Sequence, residues 1–300
     1  MSVYSQIAAN KTKTYLIIFL FIFLVSGFFY LIGRFFESPT TYFAFGITFS
    51  FLSALGSYFY SDKLVLFTTG AKPADRKKYF DFYTVTENLS IASGLPMPKL
   101  YVINDPSPNA FATGRNPKHS VVCATTGLLQ MLDRSEIEGV VAHELSHIKN
   151  YDILLSTIVA VLVGTVSLVT NWVSRSLWWG APSRRSDREE EGNPIFFILF
   201  LIALILAPIV ATLIQLAISR KREFLADASG VLITRYPEGL AKALEKIAGY
   251  PYPVKTATPS TAHLFIVNPL KGENSFTEKI ATLFSTHPPV RERIKILRSM

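Results

Sequence analysis

The sequence predicts an integral membrane protein that is mainly α-helical, with four transmembrane helices. Of its 300 residues, 49% are hydrophobic and 23 are Phe, which is rich for a soluble fold. The apolar residues are concentrated in four blocks that contain no Asp, Glu, Lys, Arg or His. Each block has the roughly 20 residues that a helix needs to cross about 30 Å of hydrocarbon. The predicted spans are 15–33, 41–60, 153–173 and 195–219.

The first block could instead be a cleaved signal peptide, because Lys11 and Lys13 precede it. Its apolar run is longer than the core of a signal peptide, and no small-residue cleavage site follows before Arg34. We therefore expect a retained anchor that forms a hairpin with the second span.

The formal net charge of +8 does not indicate a nucleic-acid-binding protein, because the basic residues flank the apolar blocks. By the positive-inside rule, this charge places both termini and the segment between the second and third spans in the cytoplasm. The loop 174–194 carries four Arg and argues against this topology, although acidic residues follow them. The flanking basic residues are Lys11, Lys13, Arg34, Arg220, Lys221 and Arg222.

Four regions follow from these spans: a hairpin region 1–60, a soluble segment 61–152, a second hairpin 153–219 and a soluble segment 220–300. Neither soluble segment is long enough for a core of its own, so we expect the two to form one domain. Two short strands are predicted at 98–105 and 119–126. The single Cys123 lies in the second of these, excludes an intramolecular disulfide and is expected to be buried.

The stretch "VVAHELSHIKN" contains the arrangement H-E-x-x-H in a helical pattern. On a helix, His143 and His147 lie on the same face and can direct two imidazoles at one point, with the Glu144 carboxylate beside it. This pattern is typical of a zinc site in which the carboxylate takes a proton from water. The helix is expected to begin with Ser135 as N-cap and Glu138 completing a capping box. Its predicted buried stripe is Ile137, Val140, Val141, Leu145 and Ile148.

A catalytic zinc site needs a third protein ligand. The best candidate lies in "SRKREFLADASG", where Glu223 and Asp227 are again four residues apart. We expect Glu223 to bind the metal and Asp227 to accept a hydrogen bond from the outward nitrogen of a ligand histidine. Alternatively, these charged residues only mark the end of a membrane helix and bind no metal. The other histidines, His119, His263 and His287, stand in turn-like contexts.

The spacing between these residues and the spans predicts where the metal lies. If the chain is helical from His147 into the third span and from the fourth span to Glu223, the metal lies about 6–9 Å outside the bilayer. A site so placed favours unfolded or juxtamembrane polypeptides as substrates.

The motifs "AHELSHIKNYD", "REFLADASG" and "PNAFATG", in the context of transmembrane pairs, resemble the HtpX heat-shock membrane metallopeptidases, relatives of the CAAX prenyl-protein endopeptidases. The resemblance covers nearly the whole chain. It implies a gluzincin-type α+β metallopeptidase domain with a small β-sheet, one Zn²⁺ bound by His143, His147 and Glu223, and Glu144 as catalytic base. It also implies quality-control cleavage of damaged membrane proteins at the cell (inner) membrane, with the catalytic domain facing the cytoplasm.

Further roles remain open among alternatives. His287 is a candidate for stabilising the oxyanion, by analogy with related peptidases, or is a turn histidine before two prolines. Asn109 and Ala112 are candidate substrate contacts on an edge strand that adds a substrate strand, or are plain structural residues. Asn150 and Asp152 either support the metal ligands or end the helix.

Two other functional classes compete with a peptidase. A transporter or channel normally carries ionisable residues in its spans, and these four spans have none. A zinc-binding scaffold or chaperone without catalysis could dispense with Glu144, which is present.

Overall fold

A computed structural model describes residues 3–35, 37–164, 220–258, 260–270 and 288–300. In the order of the chain, α1 is Val3–Phe35, α2 Pro39–Thr68, β1 Lys72–Pro73, α3 Phe80–Ser93, β2 Lys99–Ile103, β3 Ala110–Asn116, β4 His119–Thr125, α4 Thr126–Met131, α5 Arg134–Lys149, α6 Asp152–Gly164, α7 Arg220–Thr234, α8 Pro237–Gly249 and α9 Val290–Leu297, with a short 3-10 helix at Ala262–Leu264. The prediction of a mainly helical membrane protein with a small sheet is confirmed for these residues.

The helices α1 and α2 form an antiparallel hairpin of membrane-spanning character. Ile7–Gly27 and Pro39–Thr68 are long and apolar enough to cross a bilayer. Their outward side chains are largely exposed, with Phe19 at 67% and Phe23 at 65%, as expected for side chains that face lipid. The two helices approach closely at Gly46, where a Cβ would lie 2.7 Å from the Cβ of Phe29.

The third and fourth predicted spans are described only in part. The structure describes the third to Gly164 as helix α6, while the fourth, 195–219, lies outside the described residues. Helices α5 and α6 are long and apolar enough to cross a membrane only when taken together, and they are bent by 84° relative to each other. The expectation of a straight helix from His147 into the membrane is therefore wrong, because α5 ends at Lys149 and Tyr151 adopts a left-handed φ of 60°.

The sheet has the strand order β1-β2-β4-β3 and is mixed. Strands β2 and β4 are parallel, whereas β1 pairs with β2, and β3 with β4, in antiparallel fashion. Strand β3 consequently lies at one end of the sheet order. The predicted burial of Cys123 on β4 is confirmed, because this residue is 0% exposed.

The core of the domain forms where α5 packs against the sheet, α3 and α8. The predicted stripe of α5 is confirmed, because all five of its residues are at most 4% exposed. The predicted cap is wrong by two residues. Asp133 is the N-cap, and its carboxylate accepts from the Glu136 N–H while the Glu136 side chain accepts from the Asp133 N–H. Both Ser135 and Glu138 lie within the first turns of the helix instead.

Candidate metal centre

Three side chains from two helices bring their donor atoms to one point. His143 and His147 lie on α5, and their Nε2 atoms are 3.1 Å apart. Glu223 on α7 places Oε2 3.7 Å from His143 Nε2 and Oε1 3.5 Å from His147 Nε2. His143 and Glu223 are buried, and His147 is partly buried. The arrangement brings together the three ligands that the sequence predicts.

These separations fit a small metal ion. Bonds of about 2.0–2.2 Å in a tetrahedron put neighbouring donor atoms roughly 3.3–3.5 Å apart, and the three observed distances lie around this value. Two imidazoles and one carboxylate are also the donor set that suits zinc in a catalytic site, with a fourth position left for water.

Close packing between α5 and α7 brings Glu223 to the histidines. At Gly230 a Cβ would lie 3.1 Å from the backbone N of His143, so a side chain there would push the helices apart. The i, i+4 spacing then places Glu223 and Asp227 one above the other on the face of α7 that is buried against α5. Their exposures are 5% and 1%.

Each imidazole has a carboxylate at its outward nitrogen. Asp227 Oδ1 lies 2.9 Å from His143 Nδ1, and Asp152 Oδ2 lies 3.0 Å from His147 Nδ1. A carboxylate can only accept at this position, so each ring carries a proton on Nδ1, which leaves Nε2 as the nitrogen that can bind a metal. For Asp152, which the sequence left between two roles, the contact accords with support of a ligand.

Arg293 on α9 is part of the centre and was missed by the sequence analysis. Its guanidinium is 0% exposed and donates from Nε and Nη2 to the two Asp227 oxygens at 2.8 and 2.7 Å. It also donates from Nη1 to the backbone oxygen of Ile266 at 2.8 Å, and Nη1 lies 3.6 Å from Glu223 Oε2. The sequence contains only an indirect signal for Arg293, because several buried carboxylates require a buried cation near them.

Glu144 lies beside the three donors with 2% exposure. Burial raises the pKa of its carboxyl to about 7, as does the nearby charge of Glu223, while His147, Arg293 and the backbone N–H of Ala112 oppose this shift. A carboxylate with a pKa near neutrality is well matched to taking up a proton and releasing it again.

The two imidazoles differ in their affinity for protons. Burial lowers the pKa of His143, and the charge of His147 lowers it further, against the hydrogen bond to Asp227. Burial also acts to lower the pKa of His147, but the hydrogen bond to Asp152 and the charge of Glu223 raise it to about 9. A metal ion that binds here must therefore displace a proton from His147 at neutral pH.

The centre opens into a cleft beside the edge of the sheet. The cleft is lined by Ala112, His143, Glu144, His147, Asp152, Ile153, Ser156, Arg222, Glu223, His263, Leu264, Phe265 and Ile266. Strand β3 forms one wall at Ala112. Another wall comes from the segment 263–266, which lies next to β3 and pairs with it through a Phe111–Phe265 bridge and an Ile266 N–H that donates to Ala110 O at 2.9 Å.

Asn109 and Ala112 occupy different positions around this cleft. Ala112 lines it, in keeping with a substrate contact. Asn109 is 2% exposed and not among the lining residues, and its amide donates to the backbone oxygen of Val267 at 2.9 Å. The substrate contacts proposed for both residues remain predictions.

The oxyanion candidate His287 lies outside the described residues. A different histidine, His263, lines the cleft and donates from Nε2 to the backbone oxygen of Ser156 at 2.9 Å. His263 stands in a turn-like context in the sequence, which has no feature that predicts proximity to the metal centre.

Comparison with known proteins gives concordant results over the whole chain. The model of peptidase family M48 matches residues 80–300. A protease HtpX homolog of Caldanaerobacter subterraneus subsp. tengcongensis is 46% identical over 307 residues, covering 100% of this chain and 98% of that protein. A protease HtpX homolog of Tropheryma whipplei (strain Twist) is 49% identical over 298 residues, covering 99% and 98%.

Among solved structures, the crystal structure of S. mikatae Ste24p is similar to this chain with a TM-score of 0.50 and 18% identity, covering 98% of this chain and 67% of that one. At this identity the likeness concerns the fold alone. The sequence resemblance to HtpX is confirmed by the full-length relatives, and the chain belongs to peptidase family M48 as a membrane protease of the HtpX type.

Proposed function

We propose that this protein is a zinc-dependent endopeptidase of the cell (inner) membrane that cleaves damaged or misfolded membrane proteins and unfolded polypeptides on the cytoplasmic side. The observation that carries the proposal is the convergence of His143, His147 and Glu223, with the buried Glu144 carboxylate beside them. The family supplies the reaction class, which is peptide-bond hydrolysis.

The residues of the site have two roles, which are to bind the metal and to transfer a proton. His143, His147 and Glu223 hold the zinc ion. When bound, the zinc supplies Lewis-acid chemistry, which acidifies a water molecule and polarises the scissile carbonyl. Glu144 takes the proton from the attacking water and passes it to the departing amine.

The cleft supports an extended polypeptide as the substrate. Ala112 lies on the strand at the end of the sheet order, where a peptide can add as a further strand through backbone hydrogen bonds. The segment 265–266 already pairs with β3 at Ala110 and Phe111, and the Gly114 N–H donates to Thr157 Oγ1 at 3.4 Å, so the part of the edge that remains for substrate is centred on Ala112. Recognition through the backbone depends little on sequence, which suits a quality-control peptidase.

The proposed orientation in the membrane is supported by where the hairpin meets the domain. The N-terminal end of α1 contacts the residues next to the metal centre through Asn10, and α2 leads from Thr68 into β1. Both ends of the hairpin are therefore on the catalytic side, and Lys11 and Lys13 lie at this end of α1. The positive-inside rule places that side in the cytoplasm.

Cleavage of an unfolded protein such as casein by the detergent-purified protein tests the reaction. The protein is stripped of metal and reloaded with zinc, and wild type is compared with Glu144→Gln at equal bound zinc. We expect the variant to retain zinc and to lose cleavage by at least roughly a hundred-fold. Equal cleavage by both proteins would assign the activity to a contaminant. Zinc binding without cleavage by wild type would favour the scaffold function instead.

Labelling with a membrane-impermeant maleimide tests the orientation. The only natural cysteine, Cys123, is buried, so a cysteine introduced at exposed Lys78 of the domain reports on the catalytic side. A cysteine at exposed Glu37, in the turn between α1 and α2, reports on the other side. We expect Lys78→Cys to be labelled only in inverted membrane vesicles. We expect Glu37→Cys to be labelled in cells whose outer layers have been made permeable to the maleimide. The opposite pattern would place the catalytic domain outside.

A further inference from the structure

The first membrane helix reaches the metal centre through one polar side chain. Asn10 lies near the N-terminal end of α1 and is 4% exposed. Its Nδ2 donates to Asp152 Oδ1 at 2.7 Å and to the backbone oxygen of Asn150 at 3.0 Å. These acceptors lie in the bend between α5 and α6, and they are 140 or more residues away along the chain. The contact is therefore made by tertiary structure alone.

The contact continues to a metal ligand. The second oxygen of Asp152 lies 3.0 Å from His147 Nδ1, so two hydrogen bonds in series join α1 to this imidazole. Arg222, next to Glu223 on α7, places Nη1 3.4 Å from Asn10 Oδ1 and 3.4 Å from Asp152 Oδ1. The Asn10 amide therefore donates through Nδ2 to the bend after α5 and accepts through Oδ1 from α7. Both α5 and α7 carry metal ligands.

The bend itself is held by the neighbouring residue of α1. Tyr151 has a φ of 60°, which a residue with a side chain seldom adopts. The Lys11 ammonium lies 4.5 Å from the centre of the Tyr151 ring, over its face. The chain turns by 84° here. Two consecutive residues of α1 thus contact the bend that sets the direction of α5 relative to α6.

Apolar packing alone does not determine how far α1 extends towards this bend. Ile17 and Phe21 of α1 pack in one buried cluster with Leu154, Leu155 and Ile158 of α6. A shift of α1 by one turn, about 5.4 Å, would still bury apolar side chains against apolar side chains. The buried hydrogen bond between Asn10 and Asp152 favours one position of α1 along its axis, because any other position leaves these polar groups without partners.

We propose that Asn10 is a positioning residue for the metal centre. It fixes α1 against the bend and, through Asp152, holds the His147 imidazole in the orientation that binds zinc. This inference rests on the proposed zinc peptidase function. It makes the first membrane helix a part of the catalytic apparatus in addition to an anchor.

Asn10→Leu tests the proposal, because Leu keeps the approximate size and removes both hydrogen-bonding groups. Thr12→Val is the matched control, since Thr12 is exposed one half-turn away and its hydroxyl donates only within α1, to Ala8 O. Zinc affinity is measured on the full chain by competition with a chelator, together with the absorption spectrum of the Co²⁺-loaded protein. We expect roughly ten-fold weaker zinc binding and an altered Co²⁺ spectrum for Asn10→Leu, and neither for Thr12→Val.

A reciprocal exchange separates positioning from general loss of structure. Asp152→Asn alone places an amide group against the Asn10 amide or against His147 Nδ1–H, so one of the two hydrogen bonds is lost. In the double variant Asn10→Asp/Asp152→Asn, the new Asn can donate to position 10 and accept from His147, which restores the two bonds in series, while the bond from position 10 to the backbone oxygen of Asn150 is lost. We expect the double variant to bind zinc more tightly than Asp152→Asn, with kcat recovering more than KM.

The outcomes distinguish this inference from the function on which it rests. Zinc binding and cleavage by wild type, with Asn10→Leu within two-fold of wild type in zinc affinity, would overturn the role of Asn10 and leave the peptidase intact. A lower thermal midpoint of metal-free Asn10→Leu, with an unchanged Co²⁺ spectrum, would also overturn it, since the residue would then be structural only. Absence of zinc binding by wild type would remove both proposals.

Discussion

Arg293 and Asp227, 66 residues apart in the chain, form a buried bidentate ion pair directly behind the metal centre. Nε and Nη2 of the arginine meet the two carboxylate oxygens at 2.8 and 2.7 Å, and both side chains are at most 1% exposed. The same Asp227 oxygen that pairs with Nη2 lies 2.9 Å from His143 Nδ1. The pair thus connects α9, the last described helix, to a predicted zinc ligand.

Breaking this pair is expected to destabilise the domain. Arg293→Lys cannot make both bonds at once, and Arg293→Met leaves the Asp227 charge buried with only the imidazole beside it. Removal of one partner of a buried ion pair costs about 3–5 kcal/mol. We expect a clear fall in the thermal midpoint of unfolding for Arg293→Met and a smaller fall for Arg293→Lys. Arg298→Lys, at an exposed pair with Glu238 and Glu245, is the control and should change the midpoint little. Equal midpoints for the variants at both positions would contradict the prediction.

The metal-free protein is expected to lose stability as the pH rises towards neutrality, through Glu144. Burial raises the pKa of this carboxyl from an ordinary value of 4.5 to about 7. Between these values the folded state binds more protons than the unfolded state, so the free energy of unfolding falls as the pH rises. The whole difference amounts to about 3 kcal/mol.

Glu144→Gln cannot titrate and removes this contribution. In the presence of a chelator, the thermal midpoint of the variant should therefore rise relative to that of wild type as the pH is raised from about 5 to 7.5. The difference between the two proteins includes the effect of the Glu144 charge on the pKa of His147, which that charge raises. A midpoint difference that stays constant with pH would show that Glu144 is not protonated in the folded, metal-free state.

Removal of the metal is expected to destabilise the fold in a way that depends on Glu223. A ligand that binds only the folded state stabilises it, by about 4 kcal/mol at a free concentration of 1,000 times Kd. We expect chelation to lower the thermal midpoint of wild type and zinc to restore it. Glu223→Ala should lose most of this zinc-dependent gain. Asp81→Ala, at an exposed acidic residue of α3, should keep it in full. The same zinc-dependent gain in Glu223→Ala as in wild type would exclude Glu223 as a ligand.

Asn109 is expected to affect substrate binding indirectly, because it holds a segment that lines the cleft. Its amide donates to Val267 O and its Oδ1 accepts from the Ala110 N–H at 3.1 Å, so Asn109→Ala releases the segment that faces Ala112. Loss of these buried bonds costs about 1–3 kcal/mol. We expect kcat/KM for an unfolded substrate to fall while zinc affinity stays within two-fold of wild type. Asn88→Ala, at an exposed position of α3, is the control. Full activity of Asn109→Ala would remove both the tether and the substrate contact from consideration.

Local patterns in the sequence were sufficient to predict the first two membrane helices, the helix α5 and the three side chains that could hold a metal ion. A run of about 20 apolar residues has few alternatives to a membrane helix, and the structure has helices in the first two predicted spans. The i, i+4 spacing places His143 and His147, and likewise Glu223 and Asp227, on one face of a helix wherever that helix packs. The resemblance to HtpX proteases also rests on these short motifs.

Relationships between distant segments were decided by the tertiary structure. The 84° bend at Tyr151 and the approach of Asn10 and Arg293 to the metal centre have no periodic signature in the sequence. Burial is the physical reason. Several carboxylates collected around one centre can remain charged out of water only where cations and hydrogen-bond donors meet them, and distant helices supply these groups only once the chain has folded. The sequence thus determined which helices form and which side chains can bind a metal, whereas packing decided which residues hold those side chains in place.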